Sequence, residues 1–242
     1  MNLVIDVGNT FTKIAVFSEG LPVFEQQIHP EALRETVAVI CERFPVSAGI
    51  LASVGVPVTP MPAWNVSLQK VIVLKADTPV PFTNKYHTPH TLGVDRIALA
   101  AAAVSTYPGK NVLVIDAGTC ITYDFVNREG EYLGGAIAPG LQMRYKSLPQ
   151  FTAGLPLVDH RLIPEDYIGT TTQSAILSGV YFGLVNEING VIAEYSKRFI
   201  DLTVILTGGD MQILSIKLKS TIFANPKFLL EGLNYILEYN KH

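Results

Sequence analysis

A duplicated α/β fold is what this sequence predicts, and three observations carry the prediction. Residues 3–16 read LVIDVGNTFTKIAV and residues 113–126 read LVIDAGTCITYDFV, with their Asp residues 110 positions apart. Aligned without gaps, the two stretches share seven of fourteen residues: Leu3/Leu113, Val4/Val114, Ile5/Ile115, Asp6/Asp116, Gly8/Gly118, Thr12/Thr122 and Val16/Val126. A third strand-like run follows each, at 21–28 and 131–137, and helix and strand patterns come after it. Generic alternation would put apolar on apolar, but not Asp on Asp and Gly on Gly. Two ordinary hairpins are the plain alternative, because Asp and Gly are common turn residues. The recurrence of strand, turn, strand and strand in order favours duplication.

The elements follow from local pattern. Residues 2–6 and 11–17 read as strands joined at Gly8-Asn9-Thr10, where Gly and Asn suit positive φ. Residues 31–43 carry apolar positions at helical spacing, Leu33, Val37, Ile40 and Cys41. Ala48–Val54 and Val71–Leu74 read as strands. The 76–93 segment is a loop, marked by Pro79, Pro81, Asn84 and Pro89. Asp95–Tyr107 is an alanine-rich helix that Pro108-Gly109 ends. The pattern then restarts, with strands at 111–116 and 121–126 around Gly118 and a third at 131–137. A helix follows Pro139-Gly140, and a longer one spans 172–198. Residues 203–206 form a strand running into Gly208-Gly209. Residues 228–239 form the last helix, with Leu229, Leu233, Ile236 and Leu237 along one face.

Bulk properties bound the function. The chain has 242 residues, nearly half of them apolar, and a net charge of −3 with no run of like charges. That composition supplies a sizeable core and gives no nucleic-acid face. The N-terminus enters a strand at once, without a signal-like segment. The longest apolar run, Ile97–Val104, is too short to span a bilayer. Two dissimilar cysteines, Cys41 and Cys120, fit a reduced, cytoplasmic protein. Cys120 reads as a small buried residue rather than a nucleophile, since no neighbouring His would activate it. His87 and His90 share a loop, and a pair without further ligands makes a weak metal motif. Trp64 stands alone among prolines and suggests no role.

Two duplicated units facing one another would form a two-lobed molecule with a cleft between its lobes, where both turns meet one ligand. Small residues let backbone N–H groups and hydroxyls approach phosphate oxygens. Asp6 and Asp116 would then sit near a phosphate-bound cation.

Taken together, DVGNT with Lys13 (6–13), NKYHTPHTLGVDR (84–96), DAGT (116–119), LGGAIAPG (133–140), GTTTQSAILSG (169–179) and LTGGD (206–210) resemble a known family. The chain is similar to type III pantothenate kinases, within the superfamily of acetate and sugar kinases, heat-shock chaperone ATPases and actin. The motifs span most of the chain, and GVDR twenty residues before DAGT is the specific signal. Departures are Phe11-Thr12 before Lys13, Cys120 after DAGT, and three successive threonines at 170–172.

The resemblance implies two actin-like (ribonuclease H-like) lobes with mixed sheets, divided at 1–110 and 111–242. It implies ATP-dependent phosphorylation of pantothenate, the first step of coenzyme A biosynthesis, with Mg²⁺ and a monovalent cation, K⁺ or NH₄⁺. Asp95 would be the general base; by local pattern alone it is equally an N-cap. Tyr86, Gly93, Val94, Asp95 and Arg96 would hold pantothenate, Arg96 through the substrate carboxylate. Read locally, Arg96 is a surface ion-pair residue and Tyr86 a loop anchor. Thr172, preferred to Thr171 for its spacing from Gly169, would reach the substrate of a second subunit in a homodimer. Asp6, Val7, Gly8, Asn9, Thr10, Phe11, Thr12 and Lys13 would form the first phosphate turn, with Asp6 serving Mg²⁺. A solvated position is the competing reading for Lys13. Gly118 and Thr119 would form the second turn, with Asp116 holding the monovalent cation, and Gly208 and Gly209 would pass close to adenosine. The rival readings are a sugar or acetate kinase with a different substrate loop, and a non-catalytic nucleotide-binding regulator.

Overall fold

The computed structural model describes residues 1–54, 68–218 and 222–241; Trp64 lies outside them. The chain divides into two units. The first comprises Met1–Pro108, Gly130–Leu133 and Lys227–His242, and the second Gly109–Glu129 and Gly134–Pro226.

In the first unit, β1 (Asn2–Val7), β2 (Thr12–Ser18), β3 (Leu21–Ile28), β4 (Ala48–Ser53) and β5 (Lys70–Val73) form a sheet in the order β3-β2-β1-β4-β5. The first three strands are antiparallel neighbours, whereas β4 runs parallel to β1 and β5 parallel to β4. Helix α1 (Leu33–Arg43) covers one face, where Leu33, Val37 and Ile40 cluster with Leu3, Ile5 and Val7. Alternation along β1 sends Asn2, Val4 and Asp6 to the opposite face. A short strand, β6 (Thr83–Asn84), interrupts the expected loop, and α2 (Val94–Thr106) follows it.

In the second unit, β7 (Asn111–Ala117), β8 (Cys120–Val126), β9 (Glu131–Pro139), β10 (Leu202–Thr207) and β11 (Phe223–Ala224) stand in the order β9-β8-β7-β10-β11. Strand β8 is antiparallel to β7, and β10 runs parallel to both β7 and β11. The order of these five strands, and the sense in which β7 pairs with β8 and β10 and β10 with β11, therefore repeat the first sheet. Helices α3 (Leu141–Phe151) and α4 (Thr172–Arg198) cover one face, where Leu141, Tyr145, Ile176, Tyr181 and Ile188 cluster with Leu113, Ile115, Ala117, Ile121 and Tyr123. Asp116, Thr122 and Asp124 alternate onto the other face. At 27 residues, α4 is long and apolar enough to cross a membrane, with half of its most apolar window buried. A five-residue helix that the sequence pattern did not signal, α5 (Met211–Ser215), follows β10.

The last helix, α6 (Phe228–Tyr239), belongs to the first unit, as do residues 130–133, so the grouping departs there from the 110/111 boundary expected from the sequence. The reason is packing. The Asn2 side-chain amide donates to Asn234 Oδ1 at 2.7 Å and to Glu238 Oε1 at 2.5 Å. A Cβ on Gly232 would lie 1.9 Å from the Ala98 carbonyl oxygen, so only glycine lets α6 come this close to the small-residue surface of α2. The expected face of Leu229, Leu233, Ile236 and Leu237 is buried.

The duplication has a slip in register. In the first unit Val7 pairs with Thr12 and Asp6 with Lys13. In the second, Ala117 pairs with Ile121 and Asp116 with Thr122. The second turn is thus one residue shorter, and Lys13, not Thr12, occupies the position of Thr122. The sequence identities Thr12/Thr122 and Val16/Val126 are therefore not structural equivalents, because a one-residue slip moves a strand residue to the opposite face.

Candidate functional site

The first turn leaves β1 at Val7 and enters β2 at Thr12. The Gly8 N–H donates to the Phe11 carbonyl at 3.1 Å, closing the turn. Neither Gly8 nor Asn9 adopts positive φ, contrary to the sequence expectation. Glycine is needed at position 8 for space instead, since a Cβ there would meet the Phe11 oxygen at 3.0 Å. Asn9, Thr10 and Phe11 are exposed, and Lys13 is half-buried rather than fully solvated. The Thr12 hydroxyl is buried and has no hydrogen-bond partner among the described residues. An ordered water or ion commonly satisfies such a group.

Asp6 sits at the end of β1, only 8% exposed. Burial pushes its carboxyl up to about 6; the positive charge of Lys13 opposes the rise, and the negative charge of Asp95 adds to it. Asp6 and Asp95 therefore feel one another within the first unit. The topology explains this, because Asp6 points to the sheet face opposite α1, where α2 and α6 pack.

Asp95 lies in the first turn of α2 but is not its N-cap; that position is Gly93, with φ −58° and ψ 138°. The Asp95 carboxylate accepts the Arg96 N–H at 2.9 Å. A Cβ on Gly93 would fall 2.4 Å from Asp95 Oδ1. Gly93 is thus required not for its dihedrals but because the carboxylate occupies that volume. Val94 follows, half-buried, as the first residue of the helix.

Arg96 is 5% exposed, so the surface reading is corrected. Its guanidinium lies over the Tyr86 ring at 5.7 Å and the Tyr132 ring at 6.0 Å. Tyr86 is held from the backbone, its N–H donating to Asn84 Oδ1 at 2.9 Å. Tyr132 was not legible in the sequence: it reaches the loop that carries Tyr86 through the pairing of Thr83 and Asn84 with Glu131 and Tyr132, far along the chain.

In the second unit Gly118 and Thr119 form the second turn, with the Gly118 N–H donating to the Cys120 carbonyl at 2.9 Å. Cys120 itself is partly exposed. The β7–β10 register sets Thr207 beside Asp116, which brings Gly208 against it. Gly208 has φ +95°, and a Cβ there would lie 2.4 Å from both Asp116 Oδ1 and the Ala117 oxygen. Gly209 is exposed, and the Asp210 N–H donates to the Ala117 carbonyl at 2.9 Å. Burial raises the Asp210 carboxyl, while His160 opposes the shift. Gly140, quoted in a motif but given no role of its own, packs on this turn: its N–H donates to the Thr119 carbonyl at 3.1 Å. The Thr122 hydroxyl donates to Asp124 Oδ2 at 2.8 Å.

Thr171 caps α4 in a reciprocal box with Ser174, so its hydroxyl serves the helix. Thr172, next in sequence, is exposed in the first turn.

Among the described residues no group of three or more His, Cys, Asp or Glu is placed to hold a metal ion. Single carboxylates such as those of Asp6 and Asp116, outside any such cluster, fit a cation that takes its other ligands from phosphate oxygens and water, as Mg²⁺ with a nucleotide does.

The fold has counterparts among solved structures. A conserved Baf family transcriptional activator from Campylobacter jejuni matches with a TM-score of 0.65 at 20% identity, covering 98% of each chain. A ROK hexokinase from Thermus thermophilus matches at 0.56 and 13% identity over 99% of each chain. At such identities these likenesses show the fold alone, an actin-like α/β fold. Sequence relatives are nearer. A protein of Christiangramia forsetii named type III pantothenate kinase is 53% identical, covering 100% of this chain and 99% of its own. One of the same name from Flavobacterium johnsoniae is 48% identical, covering 99% and 98%. The family model for type III pantothenate kinase matches residues 2–194. The chain therefore belongs to the type III pantothenate kinase family.

Proposed function

We propose that Asp95 is the general base in the reaction of this family, in which ATP phosphorylates pantothenate to 4′-phosphopantothenate, the first step of coenzyme A biosynthesis. The observation that carries this reading is the pairing of Asp95 with the first phosphate turn: it lies close enough to shift the Asp6 carboxyl, on a helix whose N-cap glycine makes room for it.

In this reading Asp95 orients the primary hydroxyl of pantothenate and takes its proton as the oxygen attacks the γ-phosphorus and the bond from that phosphorus to the β-phosphate oxygen breaks, releasing ADP. A weak base suffices, because phosphoryl transfer depends mainly on alignment and charge stabilisation. Arg96 takes the pantothenate carboxylate, Tyr86 packs on its amide and methyl groups, and the Gly93-Val94 backbone lines the same substrate. Asn9, Thr10 and Lys13 hold the β- and γ-phosphates, with Val7, Gly8, Phe11 and Thr12 shaping the turn. Asp6 serves Mg²⁺, which when bound neutralises phosphate charge and fixes its geometry.

The second turn, Gly118 and Thr119, binds nucleotide phosphate, and Gly208 and Gly209 pass close to adenosine. Asp116 helps hold K⁺ or NH₄⁺. In the ladder register Lys13 stands opposite Asp6 and Thr122 opposite Asp116, so the two turns present different side chains beside their Asp residues.

The enzyme acts in the cytoplasm as a homodimer, with Thr172 reaching the substrate of a second copy.

The test is pantothenate-dependent ADP release, with glucose and acetate as controls. Asp95→Asn lowers kcat by roughly 100- to 10,000-fold, the usual worth of a general base. Near-normal turnover in Asp95→Asn would remove the assignment.

A further inference from the structure

We propose that Tyr132 is a positioning residue for pantothenate recognition, acting through Arg96 and Tyr86; this rests on the reading of those two residues as the substrate site. Tyr132 is fully buried. Its ring meets Phe82 at 6.1 Å and Tyr86 at 6.2 Å, and the Arg96 guanidinium lies over it at 6.0 Å. The same guanidinium lies over the Tyr86 ring at 5.7 Å. Two aromatic rings thus fix one cation, with Tyr132 touching both other members.

The backbone enforces the arrangement. Thr83 and Asn84 pair with Glu131 and Tyr132. The Lys85 N–H donates to the Tyr132 carbonyl at 2.9 Å, and the Thr83 N–H to the Gly130 carbonyl at 3.1 Å. Residues 130–133 belong to the first unit although their neighbours in sequence belong to the second. What this short segment brings into the first unit is one large ring, placed against the two side chains that recognise the substrate.

Chemistry gives the ring its function. Aromatic faces attract a guanidinium without consuming its in-plane N–H groups, which are the donors a carboxylate takes in bidentate fashion. A flexible arginine must be ordered to bind, and ordering it beforehand lowers the cost of binding. Tyr132 therefore governs the affinity for pantothenate and leaves nucleotide affinity alone.

The experiment is steady-state kinetics with both substrates varied, on wild type, Tyr132→Phe, Tyr132→Leu, Arg96→Lys and the Tyr132→Leu/Arg96→Lys pair. Tyr132→Leu raises the KM for pantothenate roughly tenfold, the order expected for a desolvated cation–π contact, and leaves the KM for ATP near wild type. Tyr132→Phe, which keeps the ring, retains wild-type behaviour. In the Arg96→Lys background Tyr132→Leu has little further effect. If Tyr132→Leu does not fold, Tyr132→Met, unbranched and better able to fill an irregular space, carries the same expectation. An unchanged pantothenate KM in the ringless variant, or an equal rise for both substrates, overturns the inference. If Arg96→Lys itself leaves the pantothenate KM unchanged, the substrate-site reading falls, and this inference falls with it.

Discussion

Gly93 and Asp95 share one volume: a Cβ on the first would stand 2.4 Å from Oδ1 of the second. The glycine is the N-cap of α2, and its dihedrals are ones that any residue adopts. Nothing in the backbone requires glycine here. The position of the carboxylate does.

Gly93→Ala therefore separates catalysis from stability. The obstacle is the end of a side chain, so the carboxylate turns aside and the helix survives. Stability falls by about 1 kcal/mol at most, as for other N-cap changes. Turnover falls much further, roughly 10- to 100-fold, since an ångström of misplacement can cost that much. Thermal melts and kcat on one preparation check this. A variant with full turnover would show that the carboxylate needs no such placement.

Asp6 gives a prediction of opposite sign for stability. Its carboxyl titrates near 6 in the folded chain, above its ordinary value of 3.8. The folded state thus holds this proton more tightly than the unfolded state. The stability it contributes is complete below the unfolded value and is lost as pH rises through about 6. The shift corresponds to about 3 kcal/mol at most. Asp6→Asn should therefore melt above wild type at about pH 8, and the difference should shrink towards about pH 4. The same variant should lose activity and lose stabilisation by Mg²⁺ and ATP. Equal melting temperatures at high pH would mean that the buried charge is not the cost it is taken for.

How far the sequence speaks is clear from these residues. Both turns, the three-strand openings and the long helices are written in local alternation and turn chemistry, and the structure keeps them. Asp95 was visible as the start of a helix, but its N-cap reading failed because Gly93 holds that place, which only three-dimensional crowding reveals. Arg96 looked like a surface residue because charge alone suggests one. Its burial depends on Tyr132, which the chain delivers from beyond a whole helix and two strands. The ungapped match of Thr12 with Thr122 was misleading for a related reason. Identity along a sequence does not record where a turn is one residue shorter.

Gly208 is held to glycine by two constraints at once. Its φ is +95°, and a Cβ would strike the Ala117 carbonyl oxygen and Asp116 Oδ1, each at 2.4 Å. One obstacle is backbone and cannot swing away. Gly208→Ala should cost about 2–4 kcal/mol, within the range for combined strain and overpacking. It should also weaken nucleotide binding, because β10 must move from Asp116. Urea unfolding together with titration of a non-hydrolysable ATP analogue reads both effects. Wild-type stability in this variant would contradict the local geometry.

The register slip leads to a prediction about ions. Asp6 faces Lys13, whereas Asp116 faces Thr122, whose hydroxyl donates to Asp124. A carboxylate beside nucleotide phosphates adds repulsion there, and near such a centre the local ion charge belongs in the balance. If a monovalent cation fills that role, wild-type velocity rises with K⁺ at constant ionic strength and is lower in Na⁺. Removing the negative charge should remove the need for the ion. Asp116→Asn should then be slower than wild type yet flat in K⁺. The measurement is velocity against KCl, with a bulky quaternary ammonium salt keeping ionic strength constant. A steep K⁺ response persisting in Asp116→Asn would place the cation elsewhere in the molecule.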